Sequence, residues 1–459
     1  MNKTLNQPTN KTLLIIGYVW PEPNSSAAGT RMMQLIQLLQ QDHWQITFAS
    51  PAKLGEHKED LTQYGIQEQN IELNDSSFDQ FIKQLQPGLV IFDRFMMEEQ
   101  FGWRIEQYAP KAIRVLNTED LHSLRASRQQ ILKNYLKTQP KEIDLINLKL
   151  NDQAWLFQEM AKSDIAKREI AAIFRCDLTL MISEFEMELL HQQFHIPKQQ
   201  LFYLPFLYTS INPSSLPTFE QRQHFVTIGN FRHEPNWDAV LWLKESIWPK
   251  IRQQLPNAEL HIYGAYPPPK ATALHNPKQG FLVKGWAQDA FKVIAQARVL
   301  LAPLRFGAGI KGKLAEAMLN GTPSVTTLIG SESMMNKELN NNGSDKWPGA
   351  IANNTHDFAE AAIRLYQDDQ AWKNYQTIGY MNVLQRYISN RTLDENKSDK
   401  DTPDSFGENL LKELNYLQKN SQQHRAQNFV GAMLNHHQHK STKYMAQWIE
   451  AKNKLPENQ

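Results

Sequence analysis

The sequence predicts an α/β chain built from parallel sheets with crossover helices, divided into two similar halves. Three observations predict it. Short buried apolar runs alternate with amphipathic helical stretches, which is the pattern of parallel strands joined by helices. The alternation stops at a polar segment with two prolines, Ser210–Gln223, and then begins again. Between Val299 and Val325 the chain reads as strand end, glycine loop, helix, glycine stop and new strand. A length of 459 residues provides ample core for two or three domains.

Charge and cysteine usage exclude several classes. Lys and Arg number 49 against 48 Asp and Glu, a net +1, so no global basic field argues for nucleic acid. The single cysteine, Cys176, excludes a disulfide framework and a C-x-x-C zinc spacing, and it suits a reducing cytosol. The apolar run Leu13–Val19 is too short to span a bilayer, and no small-residue cleavage site follows it. A soluble, cytoplasmic protein is expected. An aromatic content of 10% leaves contact with a membrane surface open.

Taken in order, residues 1–11 are polar and predicted to be loose. Leu13–Val19 reads as a buried first strand. The loop Trp20–Thr30 ends in Ser25-Ser-Ala-Ala-Gly-Thr-Arg31, and a helix follows with Met32, Leu35, Ile36 and Leu39 on one face. A strand at Gln45–Ala49, a helix near Phe78–Leu85 and a strand at Leu89–Phe92 continue the alternation. In such sheets ligands bind beyond the carboxyl ends of the strands. That rule singles out Gly29 and Arg31, and also Asp93-Arg94. Arg31 reads either as a phosphate contact or as a helix-start arginine. The strand Ala112–Asn117 runs into Thr118-Glu-Asp-Leu-His122, where Asp120 and His122 are candidates for chemistry; helix capping by Asp120 is the alternative. Residues 125–175 are helical, charged and expected to cover the first sheet. Cys176–Ile182 reads as a strand, Ser183 with Glu186 as a capping box, and Leu201–Leu204 as the last strand of this half.

The second half opens with His224–Gly229, a strand ending in glycine, and a Pro-Asn helix start. Arg232 follows the glycine; His233 reads as a loop residue rather than a metal ligand. Strands Glu259–Tyr263 and Phe281–Gly285 come next, with Trp286 reading equally as a pocket wall or a buried structural residue. Helix Ala290–Ala297 leads into the glycine loop, which carries Gly307, Gly309 and Gly312 with Lys311 and Lys313. Glycines let backbone amides approach a ligand, and a helix start presents unpaired N–H groups. With Glu316 one turn inside the helix, the loop reads as a cradle for a diphosphate joined to sugars. A tight turn with two solvated lysines is the alternative. Beyond Ala352 the chain is helical at Thr355–Tyr366, Ala371–Ile388, Asn428–His437 and Thr442–Lys452, with a polar loop at 391–405. His436, His437 and His439 read as a solvated helix end.

From Phe306-Gly307 through Lys313, Glu316-Ala317, Gly321 and Pro323, the segment resembles the donor-site signature of retaining glycosyltransferases of family-4 type (glycosyl transferases group 1). The resemblance covers residues 12–390 in layout and is strongest at 303–323. It implies a GT-B fold, α/β with two Rossmann-like domains whose parallel sheets face a cleft, plus a C-terminal helical extension. The expected division is a flexible start (1–11), an acceptor-side domain (12–209), a linker (210–223), a donor-binding domain (224–390) and a helical tail (391–459), part of which crosses back to the first domain. Many members carry two glutamates at fixed spacing in the loop; Glu316 matches the second, and Ala308 stands at the first. Many also carry an arginine and a lysine after the glycine matching Gly229, where this chain has Asn230 and Pro235.

The activity implied is transfer of a sugar from a nucleotide-diphosphate-sugar to a glycan or lipid-linked acceptor, with retention at the anomeric carbon. The implied donor site is Gly29, Arg31, Gly229, Arg232, Gly285, Trp286, Phe306, Gly307, Gly309, Ile310, Lys311, Lys313 and Glu316. Catalysis would fall to Asp120, His122, Lys313 and Glu316. Lysines stand in for a metal, so neither metal nor cofactor is expected; the nucleotide-sugar is a substrate. Polysaccharide biosynthesis and peripheral membrane contact fit such a protein, and nucleic acid does not. Two other readings stay open: a nucleotide-sugar epimerase on the same fold, and a non-catalytic sugar-nucleotide sensor or partner subunit.

Overall fold

The structure is a computed structural model and describes residues 10–138, 143–335, 347–388 and 405–454. Seven strands form the first sheet: β1 (Thr12–Ile16), β2 (Gln45–Ser50), β3 (Gln67–Asn70), β4 (Leu89–Asp93), β5 (Ile113–Asn117), β6 (Leu178–Met181) and β7 (Leu201–Tyr203). They are all parallel, in the order β3-β2-β1-β4-β5-β6-β7. Six more form the second: β8 (Gln223–Ile228), β9 (Leu260–Tyr263), β10 (Phe281–Gly285), β11 (Ala297–Ala302), β12 (Ser324–Thr326) and β13 (Gly349–Ile351). These too are parallel, ordered β10-β9-β8-β11-β12-β13.

The central strands read as unbroken apolar runs because helices cover both faces, so neither face tolerates polar side chains. Leu13, Leu14, Ile15 and Ile16 are fully buried, as are Val299, Leu300 and Leu301. In each sheet the chain order reverses beside the first strand, between β1 and β4 and between β8 and β11. Crevices open at such reversals. Every contact between the two halves described below comes from loops at the carboxyl ends of strands or from the elements that follow them. The two sheets together form the two-domain GT-B arrangement.

The edge strands β3 and β13 were not predicted, and three further details differ from the sequence reading. The insert after Arg125 does not cover the first sheet alone. Leu156, Met160 and Ile173 pack on the first domain, but Leu145, Leu148 and Leu150 enter the core of the second. The backbone N–H of Leu145 donates to the Asn353 carbonyl at 3.0 Å. The capping box at Ser183 forms only its first half: Ser183 Oγ accepts from the Glu186 N–H, while the Glu186 carboxylate is engaged elsewhere. The last predicted helices, Asn428–His437 and Thr442–Lys452, are one helix, Phe429–Asn453. Residues 1–9 and 391–404 lie outside the described residues, as do the side chains of His437 and His439.

After helix Asp369–Arg386 the chain returns to the first domain. Helix Phe406–Ala426 buries Leu410, Leu414 and Leu417 in the cluster that holds Leu13, Ile15 and Trp44. Arg425 closes its end with a bidentate pair to buried Asp177, at 2.7 and 2.6 Å.

Candidate active site

The glycine loop leaves β11 at Ala302 and ends at helix Gly312–Leu319. Phe306 and Ile310 are buried in the apolar clusters, so they anchor the loop by side-chain packing. Ala308 packs into the core of the first domain. The Gly307 carbonyl accepts from Arg128 Nη1 at 2.8 Å. Gly309 has φ +63°, a left-handed conformation costly for other residues. A side chain there would also stand 3.0 Å from Asp120 Cβ, in the opposite domain. Its N–H donates to Glu186 Oε1 at 2.5 Å. Glu186 is fully buried, and its other oxygen has no hydrogen-bond partner. Burial, seconded by the charge of Asp120, pushes its carboxyl up to about 8.

The two lysines part company. Lys311 turns into the loop, where its ammonium donates to the Gly309 carbonyl, and burial lowers it to about 8 against the pull of Glu332. Lys313 lies on the first turn of the helix and reaches back to the end of β8, donating to Asn236 Oδ1 at 2.8 Å. A methyl group on Gly229 would lie 2.7 Å from the Lys313 ammonium and 2.6 Å from Asn236. The bare glycine therefore admits both. Burial lowers Lys313 to about 8, with Glu316 opposing, and burial raises Glu316 to about 7 in spite of Lys313. One strand end, one helix start and an ammonium–carboxyl pair thus converge at the reversal point of the second sheet.

Across the cleft, helix Ala27–Gln41 starts on Ser26, whose hydroxyl accepts from the Gly29 N–H at 3.1 Å. Gly29 permits a close approach, but to this chain: a side chain would meet the Glu22 backbone at 2.4 Å. Arg31 is also committed internally. It is buried and donates to Asn117 Oδ1, to Glu119 at 3.1 Å and to the Leu204 carbonyl at 3.0 Å. It braces the ends of β5 and β7 instead of standing free for phosphate. Ala27 meets Gly312, where a side chain would fall 2.3 Å from Ala27 Cβ, so the helix starts of the two domains touch.

Asp120 and His122 are brought together, with His122 Nε2 at 3.5 Å from Asp120 Oδ1. Asp120 is not the helix cap. Glu169 takes that role, accepting from the His122 and Ser123 N–H groups at 2.9 Å each. Burial would raise Asp120, but its ion pair with Arg125 and the nearby His122 and His233 outweigh that and hold it well below the usual carboxylate range. Burial lowers His122 to about 4, which keeps its ring neutral at pH 7. Arg94 and Glu119 both have positive φ, +72° and +60°, at the ends of β4 and β5. Such strain is concentrated where loops are shaped for a task.

The remaining predicted residues lie on the rim. Arg232 stacks over the Tyr266 ring at 3.5 Å, and Tyr266 donates to Glu22 of the first domain at 2.8 Å. Gly285 has φ +78° and open space beside it. Trp286 is 40% exposed, stacks on His57 at 4.4 Å and donates to the Asn24 carbonyl at 2.9 Å. It is therefore a bridge between domains rather than a buried structural residue. Sequence reasoning missed Glu186, Arg128 and Glu332. Arg128 is fully buried and pairs with Glu332 at 2.6 and 3.0 Å while holding Leu150 and Gly307.

Solved structures share this architecture at low sequence identity. A glycosyltransferase from Rickettsia africae is 11% identical, with a TM-score of 0.57 over 89% of this chain and 99% of its own. HepE from Anabaena, solved with UDP and glucose, is 12% identical, with a TM-score of 0.56 over 83% of this chain and 96% of its own. A variant of TarM from S. aureus, solved with fondaparinux, alpha-GlcNAc-glycerol and UDP, is 14% identical, with a TM-score of 0.50 over 74% of this chain. The chain spans 58% of TarM's length. No curated protein matches the chain in sequence. The family described as Glycosyl transferases group 1 matches residues 222–368, which hold β8, the glycine loop, Lys313 and Glu316.

Proposed function

We propose that the chain is a glycosyltransferase that moves a sugar from a nucleoside-diphosphate-sugar to a glycan or lipid-linked acceptor, with retention at the anomeric carbon. The observation that carries this reading is Lys313. Its ammonium sits at a helix start, against a glycine at the end of β8, with Asn236 and Glu316 as neighbours. A diphosphate leaving group gathers negative charge as the bond to the sugar breaks. A cation already fixed in a poorly hydrated site stabilises that charge more than the ground state, which is what lowers a barrier. Glu316 would accept from ribose hydroxyls. The acceptor would enter over Asp120 and His122, with Arg94 and Arg125 close by. Its hydroxyl would attack the anomeric carbon on the face from which the phosphate departs, and the departing phosphate oxygen would take the proton.

The donor charge is met here by side chains and amides, so turnover in chelator should equal turnover in magnesium. Loss of activity in chelator, restored by magnesium, would overturn that part. A binding-only reading draws on Ala308, which brings no polar group to the loop. One experiment separates the two. The purified chain is melted with a panel of nucleotides and nucleotide-sugars, and each stabilising donor is incubated with glycan acceptors. Stabilisation with product supports the transferase, stabilisation without product supports the sensor, and no stabilisation refutes the donor site.

A further inference from the structure

The last helix, Phe429–Asn453, packs one side on the first domain, where Ala446 and Gly431 are buried against helices Phe95–Tyr108 and Asp164–Arg175. Its other side exposes large apolar side chains near both ends. Phe429 is 77% exposed, Tyr444 64%, Trp448 60% and Met445 58%, with Val430 and Met433 exposed beside them. At 3.6 residues per turn these six fall within about 160° of arc, so they share the outer face as two groups, with Lys440 and Ser441 exposed between them. Lys440 and Lys452 are exposed in the same arc, and Lys452 lies over the Trp448 ring at 5.4 Å. The only acidic residue of the helix, Glu450, is tied to Ser76 at 2.7 Å and to Lys454 at 2.6 Å. No described helix is long and apolar enough to cross a membrane.

We propose that this face seats the protein on an anionic lipid surface, with the helix lying in the plane of the headgroups. The aromatic and methionine side chains would enter the boundary between headgroups and acyl chains, where amphipathic Tyr and Trp rings are favoured. Lys440 and Lys452 would meet lipid phosphates, and this helix carries no acidic residue in the same arc to oppose them. At 25 residues the helix offers a lying length of about 37 Å. Lysine without acid on an aromatic helix face is complementary to an anionic bilayer. A second copy would set the same lysines against one another, whereas an anionic bilayer supplies their counter-charge.

The test is flotation of the purified full chain with phosphatidylcholine vesicles and with vesicles half phosphatidylglycerol. The chain should float with the anionic vesicles, less so at high salt, and not with phosphatidylcholine alone. Phe429→Ala with Tyr444→Ala and Trp448→Ala should lower the bound fraction constant by about tenfold or more. Lys440→Glu with Lys452→Glu should lower it as well. The side chains replaced are exposed, so the melting temperature should stay as in the parent. Failure to float with either vesicle would overturn the proposal, as would a triple variant that floats like the parent. A dimer in solution that the triple variant converts to monomer would also overturn it, by assigning the face to a second copy.

Discussion

Glu186 of the first domain accepts a 2.5 Å hydrogen bond from the N–H of Gly309 in the second, and so holds an amide of the very loop that the sequence assigns to diphosphate. A carboxyl group occupies a place suited to a phosphate oxygen. If a donor phosphate takes that amide, Glu186 must give it up. The exchange costs about one net hydrogen bond, roughly 0.5–1.5 kcal/mol. Glu186→Ala should therefore tighten nucleoside diphosphate binding by about 2- to 10-fold, read by calorimetry. Unchanged or weaker binding would mean that the amide belongs to the domain interface alone.

The same group predicts a stability effect. Its folded pKa, about 8, lies above the ordinary glutamate value of 4.5. Between those values the unfolded chain has released the proton that the folded chain keeps, so stability falls as pH rises through this window. Glu186→Gln keeps an acceptor for Gly309 and cannot ionise. It should be more stable than the parent near pH 8 by about 4 kcal/mol, and equal to it near pH 4. Melting curves across that range decide; parallel curves would show that Glu186 does not titrate in the folded state.

Lys313 and Gly229 make a matched pair of variants. Lys313→Ala removes the cation and should lower kcat by about 100-fold or more, the usual scale for a group that meets developing charge. Its effect on melting should be small, because Glu316 can take up a proton when its partner is gone. Gly229→Ala leaves the charge but puts a methyl group 2.7 Å from the ammonium, which must move. It should reduce kcat without loss of fold. Full activity in either variant would remove Lys313 from the proposed chemistry.

How far the sequence reaches is visible in these residues. Central strands were legible because burial on both faces leaves only apolar choices, as at Leu13–Ile16 and Val299–Leu301. The edge strand Gln67–Asn70 was not, since its side chains are polar and partly exposed. The pairing of Lys313 with Glu316 was legible because they share one helix start, whereas Gly229 reaches Lys313 only through the sheet. Glu186 was hidden by its spacing from Ser183, which a local capping box explains, whereas its carboxylate reaches a residue 123 positions away. Arg128 looked like one more charge on a charged helix, and only tertiary structure brings Gly307 and Glu332 to it. Arg31 is the converse case. Its place after β1 suited phosphate, but Asn117, Glu119 and Leu204 claim its guanidinium.

Activity should also fall on the basic side. Burial holds Lys313 at about 8, so its charge fades as pH rises through that value in the free enzyme. kcat/KM should then show a basic limb near pH 8, since this parameter reports groups of the free enzyme. In kcat the limb should move higher, because bound diphosphate favours the ammonium. Lys313→Arg, whose charge does not titrate in this range, should lose the limb while keeping some activity. A limb that persists unchanged in the arginine variant would belong to another group.

Arg128 and Glu332 lock the two domains together where no water competes. Arg128 is fully buried, Glu332 nearly so, and the guanidinium also donates to the Leu150 and Gly307 carbonyls through Nε and Nη1. Such a pair contributes little net stability against an apolar replacement, because both ions were taken from water, but removing one partner strands the other charge. Arg128→Ala should therefore cost about 3–5 kcal/mol in denaturant unfolding. Arg128→Met with Glu332→Leu should cost much less than Arg128→Ala alone, because no charge is left unpaired. The double variant should still lose activity, since Gly307 no longer has the donor that fixes its carbonyl and the glycine loop is free to shift. A double variant as unstable as the single one would place the energy in the carbonyl contacts, and a fully active one would show that the loop holds its shape without Arg128.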